Sequence, residues 1–538
     1  MTITHHKREK RLTALFFLLL ALIGLIAGFD YGLPCDEPAE QVILQENLKE
    51  YTYRFFGEGS EAVHYYGSID VQRISESIEK DHGQSAYYLA APILQLSSSA
   101  PDLATDLWHL VTWLWFMLGV VSIYGFCREA GISRIISCAG SLLLYLSPRF
   151  FAEGHYNNKD VVLLSLVLAS LWLGLRFLMK PCYLRGLLFS FIGAMATNTK
   201  VVGAIGWGLI GLCAIVMITA RREWSWRMAR VAAATIGSFV CFYALLTPAL
   251  WDDPLQYISY LLLNASGFSR WTGVVIFRGM VFDHAVHPLP RYYLPYMILV
   301  TTPIYLPLLA IIGQLSFIGN AAKKKIFAFS DAKTLAYIAA TLTWLIPLCF
   351  AFLTKPLVYN GWRHFYFVYA GIVLIAAYGM EQLWCWAMER KKPMHTAVAI
   401  WLCLCFVITG VGIAVNHPHQ YAYYNPLALG DGDMELDYWD VSTNAAIDQL
   451  LTAKRNTDLP LLLGARDDMS WFGVEHGYTV LPLDAQSKLS IEFTPDAPYL
   501  FYNTTYAQIY GIEPPIGYHE LLHISSYGNT LCTLYEID

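Results

Sequence analysis

Two adjacent carboxylates, Asp36 and Glu37, open the segment Asp36-Glu37-Pro38-Ala39-Glu40, a few residues beyond the first apolar run. At a membrane surface such a pair suits a general base or a cation site. Successive residues of a regular element point to different faces, so only one of the two is expected to react. A second polar cluster runs from Ser147 to Asp160 and brings Arg149, His155, Lys159 and Asp160 into a short turn between apolar runs. That is more charge than a hairpin needs, although Asp160 would also cap a helix. A third set is isolated cations on short polar segments: Lys200, Arg291, Lys355 and Arg363. Individually these could be interfacial anchors. Together, facing an acidic surface, they suit a phosphate, for which Lys supplies a point charge and Arg a bidentate fork. The chemistry on offer is thus a carboxylate base, a metal position and a phosphate cradle.

The elements that must carry these residues follow from composition. The chain has 538 residues, 56% hydrophobic and only 14% charged. A soluble chain runs near a quarter charged. Disorder requires low hydrophobicity. A net charge of −6 with no basic stripe argues against a nucleic-acid partner. What remains is a polytopic α-helical membrane protein, with membrane lipids as its surroundings. Most of the 11 cysteines lie in apolar runs as small hydrophobes, and Cys35 and Cys532 lie outside them.

A bilayer core of about 30 Å needs about 20 apolar residues per helix. Candidate spans are 12–29, 107–127, 135–151, 161–179, 184–199, 201–220, 228–247, 292–313, 334–353, 364–384 and 396–415, about eleven helices in all. The first is read as an uncleaved signal anchor. With the N-terminus inside, the inner segments hold most of the Lys and Arg and few of the acids. One continuous helix over 184–220 would put Arg221, Arg222, Arg227 and Arg230 outside, so two helices joined at Asn198-Thr199-Lys200 fit better. Short spans would let Arg149 and Lys200 lie below the surface and line a wet cavity. The outer segments are a loop over 30–106 and a tail over 416–538. The tail reads as a small α/β domain: a helix over 441–455, then strands over 459–463, 478–483, 499–504 and 530–537. The expected division is a membrane domain, 1–415, and an outer domain, 416–538. The tail would cover the cavity or select the acceptor, with Tyr438, Trp439 and Asp440 available to bind sugar.

These motifs, in this order and sidedness, resemble the polyprenyl-phosphate-sugar-dependent glycosyltransferases of the GT-C fold, the protein O-mannosyltransferase and lipid A aminoarabinose transferase group. The resemblance covers 10–430. It rests on Asp36-Glu37-Pro38-Ala39-Glu40, Tyr156-Asn157-Asn158-Lys159-Asp160, Thr197-Asn198-Thr199-Lys200, Tyr359-Asn360-Gly361-Trp362-Arg363-His364 and Tyr423-Tyr424-Asn425-Pro426-Leu427. It implies a GT-C-like membrane domain and Asp36 as the catalytic acid, with Glu37 beside it and Asp160 as a second acidic position. It also implies Lys200 and Arg363 as phosphate or substrate contacts, and it makes Tyr359 a candidate contact. His82 stands where related proteins tend to have His or Lys followed by Pro-Pro-Leu-Tyr, and the prolines are missing here.

The expected reaction moves a sugar from a polyprenyl phosphate to a glycan, lipid or protein acceptor on the outer face, with inversion. Lys159, Lys200, Arg291 or Arg363 would stabilise the leaving phosphate, and a divalent metal (Mg, Mn or Zn) would sit on Asp36 and Asp160. The expected location is a bacterial inner membrane, with the N-terminus cytoplasmic and the C-terminus periplasmic. In a eukaryote the sequons at Asn264 and Asn503 would matter. The alternative is a lipid-linked sugar flippase or transporter. It is disfavoured because the span centres lack ionisable groups.

Overall fold

The computed structural model describes residues 2–57, 71–266, 273–283, 286–358, 361–390, 392–428, 430, 433–457 and 460–538. Among these, nine helical stretches are long and apolar enough to cross a membrane. They become ten if the pair Arg134–Tyr145 and Pro148–Tyr156, bent by 70°, counts as one span. Chain order gives α1 (Thr2–Ala27), α2 (Glu37–Phe56), α3 (Pro101–Ala130), α4 (Arg134–Tyr145) and α5 (Pro148–Tyr156). There follow α6 (Asp160–Met179), α7 (Tyr183–Thr199), α8 (Ala204–Arg221) and α9 (Trp226–Leu246). Further on are α10 (Tyr305–Lys324), α11 (Ala332–Thr354), α12 (Tyr369–Met388) and α13 (Lys392–Val415).

The eleventh stretch expected from the sequence, 184–199, is α7. At 17 residues it rises about 26 Å, short of a hydrocarbon core. Lys200 then runs extended, at φ −154° and ψ 142°, before α8 begins. The run over 292–313 also divides. A helix over Tyr293–Val300 stops before Pro303, and α10 starts beyond it and extends to Lys324.

Helix α6 lies at the centre of the bundle, and nearly all of its residues from Asp160 to Leu178 are buried. It packs against α3, α7, α8 and α11. Helices α10 and α12 touch at Gly313 and Gly379. A Cβ on either would lie 2.0 Å from a backbone carbonyl of the other helix. Small residues let membrane helices approach this closely.

After α1 the chain enters α2, where Pro38 stands at the helix start beyond the N-cap residue Asp36. At the C-terminal end, α14 (Ser442–Ala453), α15 (Asp468–Thr479) and α16 (Thr504–Tyr510) pack with a five-stranded mixed sheet. The strands of the protein are β1 (Val274–Phe277), β2 (Met280–Asp283), β3 (Leu461–Ala465), β4 (Leu489–Ile491), β5 (Tyr499–Asn503), β6 (Tyr518–Ser526) and β7 (Asn529–Ile537). The sheet order is β4-β3-β5-β7-β6. Strand β3 is parallel to β4 and β5, and β7 is antiparallel to β5 and β6. The separate β1–β2 hairpin packs Ile276 against Tyr506 and Ile509 of α16.

Two strand expectations need correction. Residues 478–483 are the end of α15 and the turn after it, because the Asp467 side chain caps a helix there by accepting from the Ser470 N–H. Strand β6 was not expected, because its apolar residues Leu522 and Ile524, which pack on the core, are few and a register shift between Glu520 and Leu522 breaks the alternation. Asn503 of the second sequon is buried and accepts from the Thr505 and Tyr506 N–H groups. The 11 cysteines are free thiols.

Candidate active site

A cavity of about 710 Å³ opens where the start of α6 and the ends of α7 and α11 meet the start of α2. This lies within the range of small-molecule sites, about 300–1,000 Å³. Asp36, Glu37, His82, Lys159, Asp160, Lys200 and Arg363 all line it, although they are spread over more than 300 residues of chain. These charged groups share the lining with apolar side chains, Val201, Ile205, Leu261, Ile346, Phe350 and Phe365, drawn from the start of α8, from α11 and from the segments beside them.

Charged groups of the lining form three carboxylate–cation pairs. Asp36 accepts from Nη1 of Arg363. Asp160, in the first turn of α6, accepts from Nζ of Lys200 just beyond the end of α7. Glu40, one turn into α2, accepts from Nζ of Lys159 at 2.8 Å, and its other oxygen accepts from Gln84. Lys159 precedes α6 in a turn that Asn157 closes by accepting from the Asp160 N–H at 2.8 Å. The loop carrying His82 is pinned by Gly83, whose N–H donates to the Asn198 carbonyl at 3.1 Å. A Cβ on Gly83 would meet the Asn198 side chain at 2.2 Å, so only glycine fits there.

These pairs set the charge states. Burial pushes Asp36 up, but the Arg363 charge and hydrogen bond, with Lys159 behind them, outweigh it and hold the carboxyl below its usual range. Asp36 itself is 42% exposed, facing the cavity, whereas Arg363 is 7% exposed. Burial lowers Lys200, Asp160 opposes that, and Lys159 adds to it, leaving the amine below its usual range.

Glu37 also faces the cavity, so both acids of the adjacent pair reach one space. Both can do so because the chain is turning into α2 at Asp36 rather than running in a regular element. Behind Glu37, the buried His109 of α3 lies 3.1 Å from its carboxylate.

Three candidates fall elsewhere. Arg149 is buried and does not line the cavity. Its guanidinium lies between the Tyr421 and Tyr424 rings, 4.4 and 4.6 Å away, and 4.0 Å from Glu435. Arg291 is exposed and approaches Phe352 instead, because its short segment ends outside the cavity wall. Tyr359 lies outside the described residues. Lys355, exposed at the end of α11, is likewise not among the lining groups.

The residues expected to hold a metal, Asp36 and Asp160, each engage a side-chain cation. Hard dications need several free oxygens, so this arrangement does not fit one. Among the described residues, the one group of three that brings ligand atoms together, within 4.8 Å, is Glu79, Asp81 and His82 on the same cavity wall. His82 Nδ1 lies 2.9 Å from Glu79.

Glu40 in the lining and His109 behind it were not singled out from sequence, and Tyr438 and Trp439 were expected as sugar contacts rather than partners of Arg363. Glu40 sits inside the first motif, and its reach to Lys159 depends on α2 folding back. His109 is a lone histidine in an apolar helix, a signal that was available. Tyr438 and Trp439 come from the tail and stack on Arg363 at 4.4 and 4.8 Å.

No family model and no curated protein sequence matches the chain. Among solved structures, it is similar to ArnT from Cupriavidus metallidurans bound to undecaprenyl phosphate, at 14% identity over 97% of each chain with a TM-score of 0.47. The apo state of ArnT matches at 12% identity over 98% of each chain, with a TM-score of 0.46. The arabinofuranosyltransferase AftD from Mycobacteria matches at 12% identity with a TM-score of 0.43, over 97% of this chain and 41% of that one. The reading below stands on the cavity geometry.

Proposed function

We propose that the protein is a membrane glycosyltransferase of the GT-C type. It takes a sugar from a polyprenyl-phosphate donor and gives it to an acceptor hydroxyl at the outer membrane face. The observation that carries this reading is the cavity itself. It gathers Lys159, Lys200 and Arg363 around Asp36 and is lined as well by apolar side chains. An anionic headgroup on an isoprenoid chain needs both kinds of lining. The resemblance in the sequence motifs points the same way.

Each cation is paired with a carboxylate, so a donor phosphate enters by exchange. It takes Arg363 from Asp36 and Lys200 from Asp160. Asp36, relieved of its guanidinium, becomes a better base. It accepts the proton of the acceptor hydroxyl while that oxygen attacks the anomeric carbon from the face opposite the phosphate. The bond from the anomeric carbon to the phosphate oxygen breaks, and its electron pair stays on the phosphate. Arg363, Lys200 and Lys159 hold the growing charge, and preorganised donors of this kind contribute about 3–4 kcal/mol each. The configuration at carbon inverts.

The test is turnover of the reconstituted protein against a panel of polyprenyl-phosphate sugars, read as release of free polyprenyl phosphate. Release from at least one donor is expected. No release from any donor, with folding verified, ends the reading.

A further inference from the structure

Tyr438 and Trp439 reach the cavity from the C-terminal end of the protein, 75 residues beyond Arg363 in the chain. Arg363 donates from Nη2 to the Tyr438 hydroxyl and from Nη1 to Asp36. Its guanidinium also lies over both aromatic rings. Trp439 is fixed in turn, because its Nε1–H donates to buried Glu153 at 3.1 Å and its carbonyl accepts from the Cys35 N–H at 3.0 Å. The backbone of this turn is held by α16. The Tyr506 hydroxyl donates to the Tyr438 carbonyl at 3.0 Å. The Thr505 hydroxyl oxygen accepts from the Leu436 and Asp437 N–H groups at 3.2 and 3.3 Å. Neither Thr505 nor Tyr506 lines the cavity.

We propose that Tyr438 is a positioning residue for the phosphate contact Arg363, and that the C-terminal domain holds Tyr438 in place through Tyr506 and Thr505. This rests on the proposed function for the identity of the ligand, a polyprenyl phosphate headgroup. The physical reason is the division of the guanidinium. Nη1 must leave Asp36 when a phosphate arrives, whereas Nη2 can stay on Tyr438. The fixed bond acts as a pivot, so the fork turns toward the phosphate in one plane instead of losing its orientation. The two rings hold that plane by cation–π contact. The C-terminal domain is therefore a working part of the phosphate site rather than a lid over it.

The test is the affinity of the full-length protein in lipid nanodiscs for a long-chain polyprenyl monophosphate, with inorganic phosphate as a parallel arm. Tyr438→Phe keeps the ring and removes the hydroxyl. Without that bond the guanidinium must be ordered on binding, which weakens binding about two- to tenfold. Tyr506→Phe, outside the cavity, weakens it about fivefold, the usual scale for a neutral hydrogen bond. Tyr510→Phe, exposed on the same helix, changes nothing.

A double-mutant cycle separates positioning from a merely structural role. The effects of Arg363→Lys and Tyr438→Phe are expected to be non-additive. Weaker lipid binding in both Phe variants, with unchanged thermal midpoints and a non-additive cycle, supports the proposal. Wild-type binding with unchanged affinity in the variants, or an additive cycle, overturns it and leaves the glycosyltransferase reading intact. If Tyr438→Phe does not fold, Tyr506→Phe decides by the same criterion. If the wild-type protein binds inorganic phosphate as tightly as the lipid, or binds neither, the donor assignment falls and the proposal falls with it.

Discussion

Replacing Arg363 with Gln should merge two pH profiles that the native protein keeps apart. In the free protein Asp36 is paired with Arg363. In the donor complex, on the exchange proposed above, it is not. Two unit charges 4 Å apart attract by about 4 kcal/mol at an effective dielectric of about 20. Asp36 is 42% exposed, and exposed pairs keep only about 0.2–1 kcal/mol after screening. The coupling lies between these limits, and its sign is fixed: Asp36 is lower with Arg363 beside it than without it.

The acid limb of kcat/KM reports the free enzyme, and that of kcat reports the donor complex. In the native protein the kcat/KM limb should lie below the kcat limb. In Arg363→Gln it should rise to meet it, while kcat falls about 100- to 1,000-fold. Stability follows the same sign. A depressed carboxyl stabilises the fold above its unfolded pKa of about 3.9, and that contribution is lost as pH falls through the folded value. The stability gap between native protein and variant should therefore be full at neutral pH and close below about pH 4. Lipid-phosphate release measured across pH, with thermal midpoints in parallel, gives both. A kcat/KM limb that stays in place in Arg363→Gln refutes the exchange.

Other consequences follow from the same geometry. Glu40→Gln leaves Lys159 in a site where the two side chains are only 9% and 11% exposed. Removing one partner of such a pair should cost about 3–5 kcal/mol, visible as a lower unfolding midpoint that a second change, Lys159→Met, partly restores. Gly379→Leu forces a Cβ to 2.0 Å from the Leu309 carbonyl, so size-exclusion should show aggregation or loss of the folded species. In the turn after Met434, burial raises Asp437 and Asp440, and each adds to or feels the charge of its acidic neighbours. Raised folded values mean that the fold binds more protons than the unfolded chain. Stability should therefore fall as pH rises from about 4 toward neutral, and Asp437→Asn should flatten that slope in a thermal-midpoint series.

The membrane architecture was legible because periodicity and charge sidedness act locally. The break at Lys200 and the second helix after it follow from where the arginines of 221–230 must lie. The acidic start of α2, and the Lys159-Asp160 turn, stood out because charge beside an apolar run is conspicuous. What could not be read was partnership. Asp36 meets Arg363 across 327 residues, and no local pattern encodes that contact. Arg149 shares its residue type and setting with Arg363, yet it is enclosed by Tyr421, Tyr424 and Glu435, because α5 turns it away from the cavity. Tyr438 and Trp439 were noted as aromatic, but their grip on Arg363 exists only once the C-terminal sheet has folded. The edge strand β6 was lost for a local reason, since the register shift between Glu520 and Leu522 breaks the alternation of its few apolar residues.

The central claim is that Asp36 is the base of a sugar transfer from a lipid phosphate. Its most direct test is Asp36→Asn in the purified, reconstituted protein, assayed for release of free polyprenyl phosphate from the donor that the native protein uses, with folding checked in parallel. The account predicts that the folded variant binds the donor and releases about 1,000-fold less, the scale of losing an acid–base group. Turnover equal to the native protein would contradict it and leave Asp36 as a surface acid beside a lipid-phosphate binding site.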